Sequence, residues 1–349
     1  MSISPSDQKK RVLSGMRPTG KLHLGNYMGA LYNWVRLQRD YECYFFIADW
    51  HALTTDYADT SQVRENTRDV ILDFLGGGLD PEQCTLFVQS DVKEHAELFL
   101  LFTMITPLGW LERVPTYKEQ QENITGKDLS TYGFLGYPLL QSADILIYQA
   151  DFVPVGQDQV AHVELTREVA RRFNQIYPKQ SPELRALSSD AEAVLPEPQV
   201  LLTPSPKLPG TDGRKMSKSY GNTILLTDPE PVIRQKLKPM VTDPARIRRS
   251  DPGNPEVCPV FDLHKVFSSA EVQQKAREGC TTAGIGCIEC KSWVADAIVA
   301  ELKPIQERRS KYESNPRMVT EILAEGSRRA SMRAEQTMRE VRKAVGLGD

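Results

Sequence analysis

Over roughly its first 200 residues the chain alternates short apolar runs with longer stretches of helical periodicity. RVLSG (11–15) leans toward β structure and stops at a glycine. CYFFIAD (43–49) and CTLFVQS (84–90) are continuous apolar runs, as expected of strands covered on both faces. FVPV (152–155) is a further strand. Between these runs, GNYMGALYNWVRLQRD sets Tyr27, Ala30, Leu31, Trp34, Val35 and Leu37 at mostly helical spacing. VRENTRDVILDFLGGGL reads as a helix ended by glycines. LLQSADILIYQA and DQVAHVELTREVARRFNQ read as two more, the second long and amphipathic. Such alternation requires parallel strands joined by right-handed crossovers, so the fold class is α/β, a doubly wound parallel sheet. Ligands of such sheets sit outside the carboxyl ends of the strands.

The 349 residues are 40% hydrophobic and 26% charged, an ordinary globular composition that excludes disorder. The length suits two domains. No apolar run approaches the ~20 residues of a membrane span, so no membrane partner is expected. MSISPSDQKK has no apolar signal core, which points to a cytoplasmic protein. From about residue 228 the chain is polar and helix-forming. Net charge is −3, yet residues 201–250 hold 10 Lys and Arg against 4 Asp and Glu. That stretch is either a patch for phosphate or a solvated face.

Three loops carry chemistry-bearing residues. SGMRPTGKLHLGNYMGAL (14–31) joins the first strand to the first helix, where glycines and a helix N-terminus suit an anion. A glycine-rich turn of this kind is as often purely structural. In VPVGQDQVAH (153–162), Gly156 permits close approach, and Asp158 and Gln159 offer an acceptor and an amide for ribose hydroxyls. Asp158 reads equally as a plain N-cap. Lys215-Met216-Ser217-Lys218-Ser219 sits in a Pro/Gly/Ser-rich stretch that reads as a mobile loop. Two lysines three apart can grip a polyphosphate as charge develops on it.

Together these residues resemble the class I aminoacyl-tRNA synthetases: His23-Leu24-Gly25-Asn26 looks like the HIGH motif, and Lys215–Ser219 like KMSKS. Within that class the chain resembles the bacterial tryptophanyl-tRNA synthetase family. RPTGKLHLGNYMGAL, GYPLLQSADILIY, VPVGQDQVAHVELTREVARRFN, LPGTDGRKMSKSYGN and TDPARIRRSDPGNPEVCPVF carry the likeness over nearly the whole chain. Asn26 stands where HIGH ends in His; it can donate to a phosphate but cannot be a cation, which leaves charge stabilisation to the lysines.

The resemblance implies a Rossmann-type catalytic domain over 1–204, with a short connective insertion around 90–136 that forms a homodimer interface. It implies a KMSKS loop over 205–225. Residues 226–349 form a helical anticodon-binding domain, with its last helices placed to pack back on the first. It also implies a tryptophan–tRNA ligase, with ATP and Mg²⁺, L-tryptophan and a tRNA as partners. The tryptophan carboxylate attacks the ATP α-phosphorus and pyrophosphate leaves; the tryptophanyl group then moves to the tRNA 3′ end. The nucleophile is already an anion, so the first step needs alignment and charge stabilisation rather than a base.

By the same resemblance, Lys215 and Lys218 close over the phosphates, with Thr19 and Asn26 as further catalytic residues. Met216 lies by the adenine, and Ser217 belongs to the same ATP-binding loop. Arg17, Thr19, His23, Gly25 and Asn26 line the phosphate and ribose side, and Arg17 stands where some relatives carry Gln. Gly156, Asp158 and Gln159 hold the ribose.

Tyr137, Gln141 and Asp144 are spaced i, i+4, i+7 and share one helix face, which can be a pocket wall. Asp144 would accept from the indole N–H, and Leu13 joins these three as a tryptophan-pocket residue. Tyrosyl enzymes share the triplet spacing, so tyrosine specificity is the alternative. A synthetase-like RNA-binding regulator and a nucleotidylyltransferase are the others. GNYMGAL, VPVGQDQ and KMSKS favour tryptophan.

Four cysteines, Cys258, Cys280, Cys287 and Cys290, fall within 33 residues. In a reducing compartment that clustering reads as a metal site before it reads as disulfides. Four thiolates with one C-x-x-C turn suit zinc or an iron–sulfur cluster. Some bacterial tryptophanyl-tRNA synthetases carry a similar set holding a [4Fe–4S] cluster, which makes the cluster the expectation and structural zinc the alternative.

Overall fold

A computed structural model describes residues 9–115, 117, 127–179, 193–202 and 207–347. Five strands, β1 (Arg11–Met16), β2 (Glu42–Ile47), β3 (Cys84–Val88), β4 (Phe152–Val155) and β5 (Gln199–Leu202), form one sheet in the order β3-β2-β1-β4-β5. Every pair is parallel. The strand alternation in the sequence is thus realised as a doubly wound sheet. β1 pairs with β2 along its whole length but with β4 only at Val12 and Phe152. The strand order reverses there, and beyond that single pair the neighbours part, leaving a crevice at their carboxyl ends.

Successive side chains alternate between two buried layers. Val12, Phe45, Ile47 and Leu86 pack into one layer; Leu13, Tyr44, Phe46 and Phe87 pack into the other. After β1 come α1 (Leu24–Asn26), a π turn (Tyr27–Leu31) and α2 (Tyr32–Leu37), in place of a single regular helix. α3 (Asp49–Asp56) follows β2, then α4 (Val63–Gly77), which ends at Gly78 with φ 111°. α5 (Glu94–Thr103) and α6 (Leu108–Glu112) follow β3. α7 (Tyr132–Ile147) starts at Thr131, whose Oγ1 accepts from the Phe134 N–H, and begins well before the LLQSADILIYQA run. α8 (Val160–Ile176) is the amphipathic helix read from the sequence.

The C-terminal region is helical: α9 (Glu230–Leu237), α10 (Pro259–Phe267), α11 (Ala270–Thr281), α12 (Cys287–Glu313) and α13 (Pro316–Val345). α12 packs along α4, and α13 packs along β3. Contact with β3 is close at Gly326, where a Cβ would fall 1.7 Å from the Leu86 carbonyl oxygen. Residues 116 and 118–126 of the expected insertion and 205–206 of the expected KMSKS loop lie outside the described residues.

Candidate active site

A cavity of about 360 Å³ opens where β1 and β4 part. Leu13 of β1, Tyr137, Gln141 and Asp144 of α7, Arg17, and Gly156 and Gln159 beyond β4 all line it. The i, i+4, i+7 face of α7 is therefore a cavity wall. Asp158 does not line the cavity; it is exposed, and its carboxylate accepts from the Gln159 amide at 3.3 Å.

Asp144 is 1% exposed and heavily bonded. Its Oδ2 accepts from His51 Nε2 at 2.8 Å, and its Oδ1 accepts from His95 Nδ1 at 2.6 Å. Gln89 Nε2 lies 2.8 and 3.0 Å from the two oxygens. Burial pushes the carboxyl up, but the His51 and His95 interactions outweigh it and hold the pKa at about 2. Asp144 is thus an anionic acceptor at neutral pH. Arg17 reaches Thr55 Oγ1 and lies 3.8 Å from Asp56, while its Nε is buried with no partner among the described residues.

The first signature loop is locked by a reciprocal cap. His23 Nδ1 accepts from the Asn26 N–H at 3.3 Å, and Asn26 Oδ1 accepts from the His23 N–H at 3.2 Å. That use of Oδ1 leaves Asn26 its amide NH₂ to offer a phosphate. Burial, then the charges of Lys218 and Lys215, push the His23 imidazole down to about 4, so it is neutral at pH 7. Gly20 adopts φ +96°, a left-handed conformation that favours glycine, and its carbonyl accepts from Lys218 Nζ at 2.8 Å.

Lys218 also donates to the Thr19 carbonyl at 2.9 Å, which closes the second signature loop onto the first. Burial lowers its pKa to about 8, against the opposing pull of Asp73 and Asp69. Residues 22–26 and 224–226 are joined as well: Leu24 N–H donates to the Ile224 carbonyl, and Leu226 N–H to that of Leu22. Met216 is buried beside Gly25, where a Cβ would meet the Met216 Cβ at 3.7 Å. Lys215 is exposed. The Asn222 side chain staples the loop, accepting from Ser217 N–H at 2.8 Å and donating to Asp212 at 2.7 Å and to the Lys215 carbonyl at 3.2 Å. Ser217 and Ser219 hydroxyls are 2.9 Å apart.

Sequence reading did not find His51, Gln89, His95, Gly20 or Asn222. His51 sits in DWHALTTD, a short helix without a strong apolar stripe, and Gln89 and His95 flank the end of β3. A lone His or Gln beside an apolar run carries no signal by itself.

The four cysteines lie within electrostatic reach of one another. Cys258 caps α10, Cys280 lies near the end of α11, and Cys287 and Cys290 open α12. Two thiols already face protein groups: Cys280 Sγ lies 3.8 Å from Arg246 Nη1, and Cys290 Sγ lies 3.4 Å from His264 Nε2. Among the described residues, no three His, Cys, Asp or Glu side chains are gathered as a metal-ion site. The donor set expected from the sequence is therefore assembled in one region without being closed around an ion. Nor are all the arginines of this region free for a partner. Arg246 is buried and bonds the Ile285 and Arg249 carbonyls, while Arg308 and Arg309 are engaged with α4.

A 3-2-1-4-5 parallel sheet with a cavity at its switch point, and a glycine-bearing loop after β1 tied to a lysine-bearing one, is the architecture of a class I synthetase. The chain belongs to the class I tRNA synthetases for tryptophan and tyrosine: the family described as "tRNA synthetases class I (W and Y)" matches residues 6–303. On the tryptophan side, it is 55% identical to the tryptophan–tRNA ligase of Thermotoga maritima, over 97% of this chain and 99% of that one. It is 50% identical to that of Ralstonia nicotianae, over 97% and 98%. The solved tryptophanyl-tRNA synthetase of Campylobacter jejuni, complexed with ADP and tryptophan, aligns with a TM-score of 0.84 at 32% identity, covering 97% of this chain and all of that one. The chain is accordingly an aminoacyl-tRNA ligase, and its amino acid is tryptophan.

Proposed function

We propose that the chain activates L-tryptophan with ATP and passes it to tRNA through the residues assembled at the switch point. The observation that carries this reading is the lining of one cavity at the switch point. The anionic acceptor Asp144 lies at its base, with Tyr137, Gln141 and Leu13 on its walls. The Lys218 contact with Thr19 and Gly20 joins the two signature loops, although residues 19–26 and 215–219 do not themselves line the cavity. The indole enters the cavity with its N–H toward Asp144. The α-carboxylate then lies on the side of Arg17, whose Nε, without a partner among the described residues, is a donor suited to an anion.

ATP occupies the loop side. Thr19, His23, Gly25 and Asn26 hold the phosphates and ribose, and Gly156, Asp158 and Gln159 hold the ribose from β4. Met216 takes the adenine, with Ser217 in the same loop. Lys215 and Lys218 neutralise charge as pyrophosphate departs, and Mg²⁺ adds to that neutralisation when bound. A neutral His23 serves as a hydrogen-bonding group and not as a cation, which leaves the charge stabilisation to the lysines.

The same reading takes 1–204 as catalytic domain, with its insertion at 90–136, 205–225 as KMSKS loop, and 226–349 as anticodon-binding domain, in a cytoplasmic homodimer. Exposed Leu100, Met104 and Leu108 support an interface at the insertion. No helix among the described residues is long and apolar enough to cross a membrane. Cys258, Cys280, Cys287 and Cys290 hold a [4Fe–4S] cluster, with zinc as the alternative. The mutual proximity of the thiols supports a shared site, and since burial pushes the Cys290 thiol up to about 12, a bound metal would have to displace its proton.

Tryptophan-dependent ATP–pyrophosphate exchange tests the core of this reading. Exchange with tryptophan and little with tyrosine is the expected result; equal rates would refute the assignment of the pocket. Lys218→Ala should slow exchange by orders of magnitude while leaving tryptophan binding nearly intact.

A further inference from the structure

Asp144 faces the cavity, but most of what holds it lies behind the cavity wall. His95, Gln89 and Tyr148 are all 0% exposed. An ionised carboxylate only accepts, so His95 Nδ1 donates to Oδ1. His95 Nε2, on the far side of the ring, is hydrogen-bonded with the Tyr148 hydroxyl 2.7 Å away. Tyr148 stays protonated because burial, then the charge of Asp144, drives its pKa upward. The imidazole is boxed by Phe46, Phe87 and Tyr148, with ring centroids 6.1, 6.2 and 5.3 Å away, so its plane is fixed. Gln89 spans both carboxylate oxygens with its amide nitrogen, while its own Oε1 is buried without a partner among the described residues. An orphaned acceptor costs stability, and one retained beside a substrate pocket marks an orientation kept for function.

A carboxylate offers about four acceptor sites. Three donors, His51, His95 and Gln89, make four contacts with it, two to each oxygen, and of these donors only His51 also lines the cavity. A ring N–H entering from the cavity would be a fourth donor, taking a share of the oxygens that the single Gln89 amide nitrogen now spans.

We propose that His95, braced by Tyr148 and joined by Gln89, is the positioning set that fixes Asp144 as an acceptor for a ring N–H, and thereby sets the preference for indole over rings lacking that group. The inference rests on the reading of Asp144 as the indole acceptor. None of the three touches the substrate; each acts through the carboxylate. When His95 is lost, Oδ1 loses its shortest bond, the carboxylate can turn, and the acceptor direction is no longer aimed at the pocket.

The test compares ATP–pyrophosphate exchange on tryptophan and on β-(3-benzothienyl)alanine, an isostere with sulfur in place of the ring N–H. The full-length wild-type enzyme should prefer tryptophan by at least about 10²-fold in kcat/KM, since a site built to bond a polar group rejects an analogue without it. In His95→Leu that ratio should fall at least about ten-fold, the scale of one buried hydrogen bond. The change should appear as a raised KM for tryptophan, with KM for ATP and for the isostere nearly unmoved. His95→Asn, which restores a donor near the Nδ1 position, should recover most of the ratio.

If both amino acids lose activity equally in His95→Leu, His95 only packs the core and the proposal is overturned. If the wild type itself shows no preference, the fault lies earlier, in Asp144 as the acceptor, and the proposal falls with it. Should His95→Leu fail to fold, Gln89→Met decides by the same ratio: a fall supports the set, and constancy overturns it.

Discussion

Arg309, near the end of α12, donates through Nε to Asp73 Oδ1 of α4 at 2.8 Å, and the other oxygen of Asp73 accepts the Leu22 backbone N–H at 2.7 Å. Leu22 immediately precedes the His23 cap. Residues more than 230 positions apart are thereby joined to the first signature loop by one buried carboxylate. The same helix reaches that neighbourhood twice more. Glu301 accepts from the Tyr27 hydroxyl at 2.7 Å, and the Gln306 amide donates to the Leu226 and Asp228 carbonyls. α12 therefore ties the first signature loop to the segment that follows the second.

Removal of Arg309 leaves Asp73, which is 0% exposed, as an uncompensated buried charge. Breaking such a pair from one side costs about 3–5 kcal/mol. Arg309→Met should lower the urea midpoint by a corresponding amount. It should also raise KM for ATP more than KM for tryptophan, because the displaced group is the phosphate loop. Equal changes in the two KM values would show that Arg309 stabilises the fold without positioning the loop.

Lys218 gives an alkaline limit to activation. Its pKa, lowered by burial to about 8, means that the free enzyme loses this charge as pH rises through that value. kcat/KM for ATP should fall above about pH 8. Lys218→Arg should carry the limb out of range, since a guanidinium stays charged to beyond about pH 12. An unchanged alkaline limb in that variant would assign it to another group.

Acid stability should be lost in two windows. The buried imidazoles of His23 and His162 are held down to about 4, below the ordinary value of about 6.5. Between these values the unfolded chain takes up protons that the folded chain refuses. Stability therefore drains as pH falls from about 6.5 to about 4. Asp144, at about 2 when folded, adds stability that is full above its unfolded value of about 3.9 and is lost as pH falls through about 2. His23→Asn keeps an acceptor for the cap and removes one titration, so the urea midpoint should fall less steeply over the upper window. Superimposable profiles for the two proteins would eliminate His23 as a contributor.

What was legible in the sequence was contiguous. Buried strands, the His23–Asn26 turn, the Lys215–Ser219 run and the Tyr137–Gln141–Asp144 face each declare themselves within a few residues of chain. What escaped is built from partners that meet only in three dimensions. His95 and Gln89 reach Asp144 across 49 and 55 positions, and neither lies in a pattern that periodicity detects. β5 escaped for another reason. Its residues Gln199–Leu202 are half-buried or exposed at the sheet edge and lack the apolar density of β2 and β3. Nothing local distinguishes the arginines of the C-terminal third, yet Arg246 and Arg309 are buried cross-links, Arg308 is half-buried against α4, and Arg248 and Arg249 are exposed.

The docking of α13 on β3 depends on Gly326. An added Cβ meets the Leu86 backbone, which cannot swing aside as a side chain would. Gly326→Ala should cost at least about 1–3 kcal/mol through overpacking, despite alanine's better helix propensity. It should also loosen Ala330, Ala334 and Met338, which are buried in the layer with Phe87. A thermal melt decides the point: a gain in Tm would mean that the helix shifts along the strand at no cost.

The cysteines give the prediction with the widest consequence for the C-terminal region. Cys258, Cys280, Cys287 and Cys290 are supplied by three successive helices and their caps, so a bound group would cross-link α10, α11 and the start of α12. That start is the far end of the helix whose other end carries Arg309. Anaerobic purification followed by iron, acid-labile sulfide and zinc assay should give about four irons and four sulfides per chain if the thiols hold a cubane cluster. About one zinc without sulfide would make the site a structural knot. In either case Cys287→Ser should lose the metal and weaken tRNA binding while sparing adenylate formation, because the cavity and both signature loops draw on other residues. Full-strength charging by a metal-free protein would leave the four thiols as packing groups, held by Arg246 and His264.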